Sequence, residues 1–154
     1  MKRPYVIHNT IAYANVKGSA NYPNINGKVK FMQKGNGVLI PAEIFNLPII
    51  DNVNQIYGFH IHEGNECTGN QQDYFKNAGS HFSKVESLHP YHSGDMPPLF
   101  GNNGYAYLSF FTNRFSLDDI IGKVVIIHSH PDDFYTNPSG NSGEKIACGV
   151  IKVV

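Results

Sequence analysis

Seven short runs of apolar or alternating residues constrain this chain more than any other feature: "AYANVKG", "GKVKFMQ", "GVLIPAEIF", "IYGFHIH", "GYAYLSFFT", "KVVIIHSH" and "KIACGVIKVV". A period of two marks a strand with one buried face, and no stretch keeps a 3.6-residue period long enough for a substantial helix. Fifteen glycines and nine prolines supply the turns between the runs. The expected fold is all-β, a Greek-key β-sandwich or flattened barrel of about seven or eight antiparallel strands. Without an internal repeat, linker or low-complexity tract, residues 1–154 are expected to form one domain, large enough to bury a core without help from a metal.

The strand rhythm breaks over residues 64–103, which are rich in Gly, Asn, His and Pro. Loops longer than about 15 residues are uncommon inside compact domains and are usually functional, so something must hold this one. A shorter irregular stretch, "PDDFYTNPSGNSGEK" at 131–145, separates the last two strands. Before it, "FSLDDIIG" at 115–122 reads either as a helical turn capped by Ser116 or as a connection packing Leu117 and Ile120.

Twelve basic residues balance twelve acidic ones, and only 16% of the chain is charged. That excludes the basic footprint expected of a nucleic-acid or membrane-surface protein. No eighteen apolar residues run together, and the start "MKRPYVIHNTIAYANV" lacks the apolar run and small-residue cleavage site of an export signal. The expectation is a cytoplasmic protein if the chain is complete, and an exported one if a leader was removed.

Seven of the eight histidines fall between residues 60 and 130. In "GFHIHEG" His60 and His62 share one face of a strand, because alternate side chains point together. His81 sits in the long loop in "AGSHFS", and His128 closes the apolar strand "VVIIH". Four neutral imidazoles suit Cu(II) and also zinc. Within "HPYHSGD", His89, His92 and Asp95 join His81 as a His3Asp set, which suits a closed tetrahedral zinc site of structural type.

Five segments, "GFHIHEG", "NAGSHFS", the His89, His92, Asp95 group, "VVIIHSHPDD" and "GNSGEKIACGVI", follow one another over residues 58–151 in the order they take in one family. On them the chain resembles the copper/zinc superoxide dismutases of bacterial type, with short zinc and electrostatic loops. The resemblance implies a Greek-key β-barrel with long metal-binding loops, copper on His60, His62, His81 and His128, and zinc on His81, His89, His92 and Asp95. His81 would bridge the metals as an imidazolate, which a divalent ion on each side makes attainable.

The same resemblance implies that superoxide is the substrate, converted to dioxygen and hydrogen peroxide. It makes Asp132 the carboxylate accepting from one copper and one zinc ligand, and it pairs Cys67 with Cys148 in a disulfide. Lys145 stands where the family usually has an arginine that guides the anion; lysine keeps the charge but lacks the guanidinium fork. With Glu144 beside Lys145, activity is expected below that of a typical member. His130 matches no family ligand and is expected to be exposed or hydrogen-bonded. A homodimer and a copper donor protein are the macromolecular partners the resemblance allows. Two other readings remain: a dismutase-like copper or zinc binding protein with little turnover, and, more distantly, a zinc hydrolase with Glu63 as base.

Overall fold

The computed structural model describes residues 11–154, so His8 and most of the start "MKRPYVIHNTIAYANV" lie outside the described residues. The strands are β1 (Ile11–Gly18), β2 (Asn26–Lys34), β3 (Gly37–Phe45), β4 (Ile56–Tyr57), β5 (Phe59–His62), β6 (Leu99–Phe100), β7 (Ala106–Thr112), β8 (Val124–His128) and β9 (Lys145–Val153). Seven form one curled antiparallel sheet in the order β5-β8-β9-β1-β2-β3-β7. Its neighbours β5 and β8, β9 and β1, and β3 and β7 are distant in sequence, the crossing pattern of a Greek key. No helix among the described residues is long and apolar enough to cross a membrane.

The run "IYGFHIH" is two strands rather than one. At Gly58 the chain bonds with residues around the end of β8, its N–H donating to the His130 carbonyl and its carbonyl accepting from His128, both at 2.8 Å. A Cβ at Gly58 would lie 2.7 Å from Ser142 Cβ and 3.2 Å from His128 Cβ, so only glycine lets these segments close up. β4 leaves the main sheet and pairs with β6, a two-residue strand inside the long loop that alternation was too short to signal.

Inward-facing residues follow the period of two: Ala12, Ala14 and Val16 on β1, Val29 and Phe31 on β2, and Val38, Ile40, Ala42 and Ile44 on β3. Burying each of the larger side chains contributes about 1.5–3 kcal/mol. β8 is buried along its whole length because both its faces are covered. Val125 and Ile127 join the main core, whereas Val124 and Ile126 pack on the other face with Phe75, Ala78 and Cys148.

That second layer is the long loop folded back over the sheet. A disulfide between Cys67 and Cys148, 81 positions apart, ties it to β9, and a 3-10 turn at Lys76–Ala78 supplies Ala78, with Phe75 just before it. The 115–122 segment contains the helical turn α1 (Leu117–Ile120), with Leu117 and Ile120 buried. Its Asp119 carboxylate accepts from the Ser116 N–H at 2.7 Å and hydroxyl at 2.8 Å, fixing the start of the turn.

Candidate metal centre

The loop brings its ligands to the sheet by extending it. On the free edge of β5, Ile61 N–H donates to the Gly94 carbonyl, Phe82 N–H to the Ile61 carbonyl, and Glu63 N–H to the Ser80 carbonyl, at 2.8–2.9 Å. This pairing sets His81 opposite His62 and Asp95 opposite His60. On the other edge, His60 pairs with Ile126 and His62 with Val124, so both histidines lie on the face of Val124, Ile126 and His128, beneath the covering loop. A register shift between Ile127 and His128 sets Lys145 of β9 opposite His128.

Two groups result, sharing His81: His60, His62, His81 and His128, and His81, His89, His92 and Asp95, with the donor atoms of each within 4.8 Å of one another. All the residues expected to ligate are therefore brought together. His60, His62, His81, His89 and His128 are buried.

The acceptors around each ring fix which nitrogen is free. His60 and His89 both donate Nε2–H to Asp132, at 2.7 Å to Oδ2 and Oδ1 respectively, so this one carboxylate orients a ring in each group. His62 donates Nδ1–H to the Gly79 carbonyl at 2.8 Å, and His128 directs Nδ1 at the Gly143 carbonyl at 3.3 Å. Gly140 makes room for the Asp132–His89 contact: with φ +68, it would place a Cβ 2.0 Å from Asp132 Oδ1.

What remains is a set of buried lone pairs. Nδ1 of His60, Nε2 of His81, Nδ1 of His89 and Nδ1 of His92 have no hydrogen-bond partner among the described residues. The Nε2 atoms of His62 and His128, both turned inward, face each other at 3.2 Å. Buried polar atoms left unpaired are costly, and a cation in each group would satisfy them.

In the second group, Asp95 Oδ1 lies 2.7 Å from His81 Nδ1, and Oδ2 lies 3.1 Å from Nδ1 of both His89 and His92. The two 3.1 Å separations are close to the edge of a tetrahedron with metal bonds of about 2.0–2.1 Å, near 3.3 Å, whereas 2.7 Å is a hydrogen-bond distance. Four imidazoles fit copper or zinc in the first group, and three imidazoles with a carboxylate fit zinc in the second.

Protonation agrees with ligation. Burial, then the neighbouring histidines, hold His60 and His62 well below the usual imidazole range. Burial and His81 push His128 down to about 3. These rings are therefore neutral at neutral pH, with lone pairs to donate. Burial would raise the Asp95 carboxyl, but the hydrogen bond and charge of His81 outweigh it and keep Asp95 below its usual value, hence ionised.

The first group opens on a cavity of about 460 Å³ lined by His62, His81 and His128 together with Tyr74, Glu144 and Lys145. Lys145 is thus at the expected place, but its ammonium is paired with Asp73 Oδ2 at 2.5 Å. Glu63 is not among the residues that line this cavity. His130 is half-buried, bonded to the Ser129 hydroxyl at 2.7 Å and to Asp51 at 3.2 Å.

Three residues that serve the site were not visible to sequence reasoning. Asp73 is one and Gly140 another. Arg114, just beyond β7, donates to the carbonyls of Pro90, His92 and Asp95 at 3.0–3.4 Å and so clamps the loop that carries the second group. No short motif links Arg114 or Asp73 to the histidines; only the fold brings them together.

The chain matches the family model described as copper/zinc superoxide dismutase over residues 25–151. It is 36% identical over 141 residues to a copper/zinc superoxide dismutase of Aquifex aeolicus, covering 82% of this chain and 79% of the relative. It is 37% identical over 133 residues to that of Legionella pneumophila, covering 82% of this chain and 77% of the relative. A superoxide dismutase-like protein of Bacillus subtilis is 33% identical over 109 residues, covering 61% of this chain and 54% of the relative.

Proposed function

The chain belongs to the copper/zinc superoxide dismutase family, and we propose that its first histidine group holds the copper and its second the zinc of that enzyme. It is an oxidoreductase that takes two superoxide anions and two protons to dioxygen and hydrogen peroxide, with copper and zinc as cofactors. The observation that carries the assignment is His81, whose Nε2 is directed into one group as an unpaired buried atom while its Nδ1 meets Asp95 in the other.

In this reading Nδ1 of His60 and Nε2 of His62, His81 and His128 donate to copper. Nδ1 of His81, His89 and His92 and a carboxylate oxygen of Asp95 donate to zinc. Bound copper supplies a one-electron couple that oxidises one superoxide and reduces the next, while zinc supplies fixed positive charge.

The protein's own part is positional and protic. Asp132 keeps the His60 and His89 rings in the tautomers that leave Nδ1 free. His81 is the proton carrier: with a cation on the Nδ1 side, its Nε2 can hold a proton in one half of the cycle and give it to the departing peroxide in the other. The cavity lets superoxide reach the first group, and Lys145 is the cation nearest that path.

The proposal extends to a single catalytic domain over residues 1–154, to a second copy of the chain as a dimer partner, and to a protein that delivers copper. Exposed Tyr107 and Phe111 on β7 support a protein contact. Pulse radiolysis of protein loaded with one copper and one zinc tests the assignment: superoxide decay should be rapid and should collapse in His60→Ala. Unchanged decay in that variant overturns the copper set.

A second reading, a metal-binding protein with little turnover, is favoured by one observation, the pairing of Lys145 with Asp73. Loaded protein that holds both metals yet leaves superoxide decay at the rate of free buffer would establish it.

A further inference from the structure

The cavity facing the first histidine group has an unusual charge for one that receives an anion. Histidines aside, its charged lining side chains are Asp73, Glu144 and Lys145, so the carboxylates outnumber the ammonium by one. The single cation is not free. Lys145 Nζ donates to Asp73 Oδ2 at 2.5 Å, and the lysine side chain is only 17% exposed.

Asp73 is in turn held firmly. Its Oδ1 accepts from the Phe75 N–H at 3.0 Å, its N–H donates to Asn70 Oδ1 at 3.0 Å, and its carbonyl accepts from the N–H groups of Asn70 and Lys76 at 2.9 and 3.1 Å. The adjoining Phe75 is anchored in the layer that packs against β8 and the disulfide. Asp73 is therefore a fixed counter-charge, and Lys145, the flexible member of the pair, comes to it.

We infer that Asp73 sets the anion affinity of this cavity, holding Lys145 off the path to the metal and cancelling its field there. It is a specificity-determining residue: small monovalent anions, superoxide among them, are drawn in weakly, and attraction falls mainly to the bound metals. Glu144, which also lines the cavity but makes no ion pair with Lys145, contributes less. The inference rests on the copper reading of the first group.

The test uses protein loaded with copper and zinc and reads azide binding to Cu(II) by its optical change, alongside superoxide decay, at low and at moderate ionic strength. Asp73→Asn keeps an oxygen for the Phe75 N–H while removing the charge. Azide should bind about threefold to tenfold more tightly and superoxide decay should quicken by a similar factor, the size expected for one unit charge at several ångströms in a wet cavity. Both gains should shrink with added salt.

Azide affinity and salt dependence unchanged from the parent protein overturn the inference, as does an equal gain in Glu144→Gln, which would make net charge rather than the pairing responsible. Should Asp73→Asn fail to take up copper, Asp73→Ser, which also offers an oxygen to Phe75, gives the same comparison. If the parent protein binds azide but does not remove superoxide, the enzymatic reading falls while the azide comparison still decides the role of Asp73.

Discussion

The two halves of the metal centre are built differently. Three of the four rings in the first group, His60, His62 and His128, stand on β5 and β8, which are paired with each other, β8 being paired with β9 as well. All members of the second group come from residues 81–95 of the loop, which is held to β5 by three backbone bonds, to Asp132 by one histidine and to Arg114 through three carbonyls. The first group is therefore pre-formed by the fold, while the second depends on contacts that single side chains make. Rigid elements place ligands more accurately than loops do.

The largest effect should come from removing a ligand on each side. His128→Ala should lower copper-dependent superoxide decay at least 100-fold while zinc content stays near one per chain, and His92→Ala should lose zinc yet keep copper. Metal analysis after exhaustive dialysis checks both, and loss of zinc in His128→Ala would erase the distinction between the halves. Next comes Asp132→Ala, which frees one ring in each group. Affinity for both metals should fall by about 10- to 100-fold, measured by competition with a chelator, and a loss confined to one metal would deny the carboxylate its joint role.

Acid should act on the strand side. His60, His62 and His128 are kept neutral in the folded protein, His128 down to about 3, whereas in the unfolded chain they titrate near 6.5. The unfolded state then binds more protons, so the metal-free protein should lose stability as pH falls below about 6.5, and go on losing it towards about 3. Thermal melts of metal-free protein from about pH 7.5 to about pH 5 test this, and a melting temperature that holds steady or rises would contradict it.

Two smaller changes probe the loop. Arg114→Ala should speed zinc removal by a chelator by about tenfold, each lost hydrogen bond contributing roughly 0.5–1.5 kcal/mol, and leave the copper spectrum unchanged. Lys84→Ala removes the exposed Lys84–Asp119 pair between the loop and α1, and should change stability by less than about 1 kcal/mol by denaturant melt.

The same division governs how much could be read in the sequence. The strands were legible because Ala12, Ala14 and Val16, or Val38, Ile40, Ala42 and Ile44, alternate with outward residues. The pair His60 and His62 was legible for the same reason, since a period of two fixes which side chains share a face. The break at Gly58 was not, because it follows from the close approach of Ser142 and His128, far along the chain. The candidate ligands were read from residue type and spacing and were divided between copper and zinc by family resemblance, and the same residues lie together in two clusters. The partners of Lys145 and of the loop carbonyls could not be read at all: Asp73 lies 72 positions from Lys145, and Arg114 is 24 from Pro90. Such contacts leave no periodic trace.

Asp132 has a consequence beyond orientation. Because one carboxylate grips His60 with one oxygen and His89 with the other, ordering either ring settles the carboxylate for its neighbour. On the proposed assignment, filling either half lowers the entropy still to be lost in filling the other. The benefit must be equal in both directions, since linkage between two binding equilibria is reciprocal. Each half then favours the filling of the other by the same factor, without either being required for its neighbour.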